Sequence, residues 1–376
     1  MTHTRPKPRA RDLGLPLGGV TGPLNAITDI AGLHVGHRTI IEHAPRAGRP
    51  MPLRSGVTAI IPHAASPEPV PVYAGLHRFN GNGELTGSHW IEDGGYFLGP
   101  VLITNTHSVG AAHAGAIRWM LTRHAATYGR GDDLWIMPVV GETYDGVLSD
   151  INGQHITPED AIAALDAAHG GAVTEGNTGG GTGMIAYGFK GGTGTSSRVV
   201  EVGGRRFTIG ALVQANHGAP EWLTVCGVPV GRELHGLDAP GPASTERGSI
   251  IVVIATDLPM APHQLKKLAR RGAIGIGRGG TPGGNSSGDI FLAFSTANPR
   301  PMPHMAPLFL EIEMINDEGL DAVYLAAVEC VEEAVLNAMC AAEDMGGTEW
   351  DRGLVRALPT AQLCEILRRH GRLVVR

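Results

Sequence analysis

Aromatic residues are scarce in this 376-residue chain, at 5%, and there are only four cysteines, Cys226, Cys330, Cys340 and Cys364. None forms a Cys-x-x-Cys pair, so zinc-ribbon and thioredoxin-like chemistry is excluded, and a chain of this length needs no covalent staples. Four reduced thiols are expected. No apolar run approaches the roughly 20 residues of a bilayer span. The basic stretch Met1 to Ala10 leads into no apolar core of the kind a secretory signal carries. A cytoplasmic protein with no membrane partner is therefore expected. Basic excess is missing too: 30 Lys and Arg stand against 36 Asp and Glu, a formal charge of −6. That balance provides no electrostatic footprint for nucleic acid.

What the chain does have is glycine, 55 residues without a collagen period, and a hydrophobic share of 42%. The apolar share suffices for a real core. So much glycine points to tight turns and close backbone approaches. Short apolar runs at 57–62, 101–105, 135–140, 207–213, 250–255, 290–294 and 308–313 read as strands. Their near-continuous apolarity suits sheets covered on both faces. Helices are expected from Thr157, capped by its hydroxyl and followed by Pro158, to about Ala168. Others run from His263 to Arg271, stopped at Gly272, and from Thr360 to His370. The stretch Leu320 to Met345 is apolar nearly all round, which predicts a buried helix or one packed on another subunit. The alternation makes a layered α/β protein.

One junction stands out. The Pro- and Gly-rich segment His235 to Gly248 ends abruptly where Ser249 opens the unbroken β run Ile250 to Ala255. The Ser249 hydroxyl can attack the Gly248 carbonyl, and water then releases a chain that begins with Ser249. Its new α-amine, with a reference pKa of roughly 7.7–8.0, can serve as a base for the hydroxyl on the same residue. Gly-Ser also occurs at Gly87-Ser88, so the pair alone is a weak signal.

Four further clusters carry chemistry. Gly179-Gly-Gly-Thr-Gly183 is similar to a tubulin-like GTPase loop, but Met184 to Gly192 reads as a strand and turn, not the helix that a phosphate loop needs. A glycine-lined substrate floor or tight hairpin is the better reading. Ser287 and Asp289, two apart before a strand, can form a proton relay or belong to an ordinary turn. Glu142 and Tyr144 follow one strand, and Asn216 ends another; the Asn216 amide and Tyr144 phenol can donate to an oxyanion. The histidines, His34, His37, His107, His113 and His124 among them, show no closed metal-ligand pattern.

Taken in order, these pieces resemble the L-aminopeptidase/D-esterase-amidase family, which includes the β-peptidyl aminopeptidases. The resemblance runs through Leu24 to His37, Arg54 to Ala59, Asn80 to Gly87, Glu142 to Gly146, Gly188 to Gly192, Val213 to Gly218, Gly248-Ser249 and Asn285 to Asp289. It implies a four-layer αββα sandwich similar to N-terminal-nucleophile hydrolases but with different strand connectivity. It also implies a precursor of one domain, 1–376, cut between Gly248 and Ser249 into a 1–248 subunit and a 249–376 subunit. Such heterodimers would assemble as a homo-oligomer, a tetramer by expectation. Ser249 matches the family's nucleophile, Asn216 its oxyanion donor with Tyr144 beside it, and Glu142 the acid that grips the substrate's amino group. Ser287 and Asp289 match a Ser-Gly-acid element for proton transfer, where some relatives carry glutamate last. The general base, that pair or the Ser249 α-amine, stays open. The implied reaction releases N-terminal residues from peptides, amides or esters and calls for no cofactor and no metal. Alternatives are an acyltransferase on a related self-processing scaffold, a nucleotide-binding protein using Gly179 to Gly183, and a member without activity that serves in assembly.

Overall fold

The computed structural model describes residues 7–129, 135–236, 246 and 248–374. Most of the linker-like segment, residues 237–245 and 247, lies outside the described residues. Two sheets organise the chain. One has the order β1-β2-β5-β6, from strands His34–Pro45, Pro52–Ile61, Val101–Asn105 and Val139–Thr143. The other has the order β4-β3-β12-β11-β10-β9. Its strands are β3 (Pro71–Arg78), β4 (Tyr96–Leu98), β9 (Gly192–Val202), β10 (Arg205–Asn216), β11 (Ser249–Thr256) and β12 (Ile290–Ser295). Two short hairpins, β7/β8 (Ile185–Ala186, Phe189–Lys190) and β13/β14 (Met345–Gly346, Leu354–Val355), stand apart. The helices are α1 (Ser88–Gly94), α2 (Val109–Arg123), α3 (Ala125–Tyr128), α4 (Pro158–Asp166), α5 (Gly231–Leu234), α6 (Pro262–Arg278), α7 (Asp321–Ala341) and α8 (Thr360–Arg369).

Three apolar layers glue four structural ones. Ala112, Ala116 and Trp119 of α2 pack with Val57, Leu102 and Val140 of the four-stranded sheet. Ile60, Ile103 and Val139 then meet Leu212, Ile251, Val253 and Leu292 between the sheets. On the far side Ile250, Val252 and Ile254 lie with Leu265 and Leu268 of α6 and Val331 and Ala334 of α7. The result is the expected αββα sandwich. Strand β11 shows why its sequence is unbroken: odd residues face the other sheet, even ones the helices, and both faces are dry.

The helix α4 begins as read: Thr157 Oγ1 accepts from the Asp160 N–H and the Asp160 carboxylate accepts from the Thr157 N–H, a reciprocal capping box. Three expectations are corrected. Helix α6 does not stop at Gly272; that glycine is a packing residue, because a Cβ there would fall 2.2 Å from the Phe291 ring. The run 308–313 is not a strand: it pairs with no other strand among the described residues, and Leu308 and Phe309 are 98% and 94% exposed. The strand expected at 135–140 begins only at Val139, while Trp135 stacks edge-on to Trp90. Helix α7 ends at Ala341, and its all-round apolarity is accounted for within the chain. It lies so close to β9 that a Cβ on Gly194 would stand 2.1 Å from the Ala334 carbonyl oxygen.

Candidate active site

Strands β10 and β11 run antiparallel, and their register puts Asn216 directly opposite Ser249. Opposed residues share a face. That face looks into the gap between the sheets, since Gln214, two residues before Asn216, reaches across to the Thr104 carbonyl and the Thr143 hydroxyl. Ser249 therefore opens its strand at the mouth of the inter-sheet layer, nearly buried and rigidly paired.

Among the described residues its hydroxyl has one partner: Oγ accepts from the Gly288 N–H at 3.1 Å. An amide donor aimed at this oxygen favours negative charge on it. Gly288 is the middle of the turn Ser287-Gly288-Asp289, where Ser287 Oγ donates to Asp289 Oδ1 at 2.6 Å. The Asn80 amide closes the turn from behind, donating to Asp289 Oδ2 at 3.0 Å and accepting from the Asp289 N–H at 2.5 Å. Burial pushes the Asp289 carboxyl up to about 6, against the downward pull of the Ser287 and Asn80 hydrogen bonds. Gly288 tolerates no side chain, because a Cβ would lie 2.3 Å from the Asn82 carbonyl oxygen.

The Asn216 amide is fixed at both ends. Oδ1 accepts from the Ile185 N–H at 2.8 Å, and Nδ2 donates to the Tyr144 carbonyl at 3.1 Å. One Nδ2 proton remains for an oxyanion. Tyr144 thus contributes its carbonyl, whereas its half-exposed phenol ring lies over Gly146 at the rim. A cavity of about 520 Å³ opens here, lined by Tyr144, Ile185, Asn216, His217, Glu246 and Gly248 among others. Gly248 must be glycine: a Cβ would stand 1.9 Å from the Asn216 carbonyl oxygen. Beside it His217 is sealed from water and kept neutral by burial, its ring edge-on to Tyr187.

Glu142 is the penultimate residue of β6 and does not line that cavity. Its oxygens accept from the Glu84 N–H and the Thr106 hydroxyl, and burial raises its carboxyl above the ordinary value. Gly83 lies between it and the Ser287-Gly288-Asp289 turn: a Cβ on Gly83 would lie 3.3 Å from Glu142 Oε1 and 3.2 Å from Gly288 Cα.

The glycine-rich turn 179–183 is packed between layers and leaves no phosphate cradle. The Gly179 N–H donates to Thr39 Oγ1 and the Gly180 N–H to Thr58 Oγ1, and a Cβ on Gly180 would sit 2.0 Å from Gln214 Oε1. Beneath it Lys190 is wholly buried, donating to the Gly181 and Gly191 carbonyls at 3.2 and 3.0 Å, and burial pulls its ammonium down to about 7.

The structure thus gathers Ser249, Asn216, Gly248, Ser287 and Asp289, with Tyr144 at the rim and Glu142 one glycine away. Sequence reasoning missed Asn80, the Gly288 N–H and Glu246. Asn80 and Gly288 sat inside motifs already noted for their resemblance; Glu246 had no signal beyond its nearness to Gly248.

Comparison with known proteins gives the chain its family. The chain is 46% identical to the β-peptidyl aminopeptidase BapA of Sphingosinicella microcystinivorans, across 97% of this chain and 93% of that protein. It superposes on the L-aminopeptidase D-Ala-esterase/amidase of Ochrobactrum anthropi, a prototype for the serine aminopeptidases and a variant of the Ntn hydrolase fold. There the TM-score is 0.93 at 67% identity, covering 98% of this chain and 100% of the other. A β-aminopeptidase from Burkholderia sp. matches with a TM-score of 0.86 at 44% identity, covering 97% and 99%. The model of peptidase family S58 matches residues 25–352. The chain is a hydrolase of peptide and amide bonds and belongs to peptidase family S58.

Proposed function

We propose that the chain cuts itself between Gly248 and Ser249 and then acts as an aminopeptidase, amidase and esterase through an acyl-enzyme on Ser249. The observation that carries this reading is the placement of the Ser249 hydroxyl, opposite the Asn216 amide and on the Gly288 N–H, at the start of a buried strand paired on both edges. In self-cleavage Ser249 Oγ bonds to the Gly248 carbonyl carbon and the C–N bond to Ser249 breaks. The hydroxyl proton ends on the new amine. Water then hydrolyses the ester, leaving a Gly248 carboxylate and a free Ser249 hydroxyl. Turnover repeats the step on a substrate: Ser249 attacks the first carbonyl, Asn216 Nδ2 stabilises the oxyanion, the amine or alcohol departs, and water releases the acid.

Substrates are peptides, amides or esters with a free amino group, whose ammonium pairs with Glu142. The buried carboxylate beside Gly83 supports that role. Subunits 1–248 and 249–376 stay together and assemble as a tetramer of heterodimers. The exposed apolar pair Leu308 and Phe309 supports contact with a second copy. Four unpaired cysteines support a reducing, cytoplasmic setting.

Intact mass under denaturing conditions tests the reading. Wild type should give two pieces summing to 39.3 kDa plus one water, and Ser249→Ala one inactive species at 39.3 kDa. Two pieces from Ser249→Ala would overturn it.

A further inference from the structure

Glu246 stands two residues before the proposed scissile link and is buried. Its carboxylate binds two loops at once. Oε1 accepts from the Gly218 N–H at 2.5 Å. Oε2 accepts from the Gly284 N–H at 2.8 Å and from the Thr281 hydroxyl at 3.0 Å, and the same hydroxyl lies 3.3 Å from Oε1. Gly218 sits two residues after Asn216, on the turn that ends β10. Gly284 opens the loop that leads to Ser287, Gly288 and Asp289, and its own carbonyl accepts from the Ser287 N–H and the Asn80 amide. The fit is close on every side: a Cβ on Gly284 would fall 2.7 Å from Glu246 Cβ, just as one on Gly248 would strike the Asn216 carbonyl.

A carboxylate held by N–H and O–H donors makes strong, short hydrogen bonds. We infer that Glu246 is a positioning residue for self-cleavage: it staples the turn carrying Asn216 to the loop carrying Ser287, Gly288 and Asp289, and thereby fixes the Gly248 carbonyl in line with both. The inference rests on the self-cleavage reading above. Glu246 touches no reacting atom. It acts through the loops that supply the oxyanion amide and the Gly288 N–H. Its charge also acts on the Asp289 carboxyl, pushing it upward against the Ser287 hydroxyl and Asn80 amide that face the same group.

The test follows cleavage over time in full-length chains made by cell-free synthesis: wild type, Ser249→Ala, Glu246→Gln, Glu246→Ala and Thr281→Val. Misplacing a reacting group by about 1 Å can cost on the order of 100-fold in rate, so Glu246→Ala should slow the appearance of the 249–376 piece by at least about tenfold. Thr281→Val and Glu246→Gln should fall between it and wild type. In Glu246→Gln the acid limb of the processing rate should also move to lower pH, because the charge that opposes ionisation of Asp289 is gone; a purely structural role would leave that limb in place. Thermal melts of Ser249→Ala with and without Glu246→Ala, both uncut, report whether the fold survives. Processing of Glu246→Ala at the wild-type rate, or a loss that only tracks thermal stability with the acid limb unmoved, overturns the assignment. Cleavage of Ser249→Ala, or a wild type that stays whole, sinks the self-cleavage reading itself and is told apart by that control.

Discussion

Asn216 and Ser249 face each other across the seam between β10 and β11, so the proposed oxyanion donor and the proposed nucleophile are held by one ladder of backbone hydrogen bonds. Neither backbone position can shift without breaking that ladder. The amide is further pinned by the Ile185 N–H and the Tyr144 carbonyl.

Removing that amide should therefore cost catalysis more than binding. With Asn216→Ala, kcat is expected to fall by about 10²- to 10³-fold, the value of one oxyanion donor, with KM little changed. Steady-state kinetics on a processed sample measures this; a loss confined to KM would mean Asn216 only shapes the pocket.

If the proposed Ser287–Asp289 relay serves as the base, Asp289 should set the pH dependence: burial pushes its carboxyl up to about 6, and the protonated form cannot accept the Ser287 proton. Accordingly kcat/KM should decline as pH falls through about 6, and Asp289→Asn should be slow with that acid limb abolished. An unchanged limb in the Asn variant would assign the titration to another group.

Glu142 is tested from the substrate side. A charge-assisted contact to an ammonium contributes about 1.5–3 kcal/mol. Glu142→Gln should lose about 10- to 100-fold in kcat/KM on free-amine substrates, and N-acetylation of a good substrate should nearly abolish its turnover in wild type. Equal rates on acetylated and free peptides would remove the carboxylate from this role.

Lys190 makes a prediction about stability. Its folded pKa of about 7 lies far below the unfolded 10.5, so between those values the unfolded chain binds the extra proton. Stability should then rise with pH above 7 through this residue. Comparing wild type with Lys190→Met by urea unfolding from pH 7 to 8.5, below the range where buried thiols release protons, isolates the effect. The wild type should gain on the variant as pH rises; a constant difference would show that the ammonium is not desolvated as the packing implies.

Much of this was legible in the chain. Strands β5, β11 and β12 announced themselves because both faces are apolar, and the cap at Thr157 because its chemistry is local. Strand β9 did not: its Thr, Ser and Gly residues exist to let α7 approach and to donate hydroxyls, as Thr195 does to the Ala211 carbonyl. The run at 308–313 misled for the opposite reason, being largely apolar but without a neighbouring strand among the described residues. In the site, Ser249, Asn216, Ser287 and Asp289 carry side-chain chemistry and sit in recognisable strings. The Gly288 N–H is a backbone group, and Asn80 meets Asp289 across 209 positions of sequence, so neither has a local signature.

The order of the six-stranded sheet gives the proposed nick an unusual outcome. Strands β11 and β12 come from residues after 248, yet they are wedged between β3 and β10, which come from before it. Cutting the link thus frees no lobe: the shorter piece is dovetailed into the longer one along two seams. Pulling them apart would require unzipping the middle of the sheet, so the pair should melt as one cooperative body, and the new amino end gains freedom only at its tip.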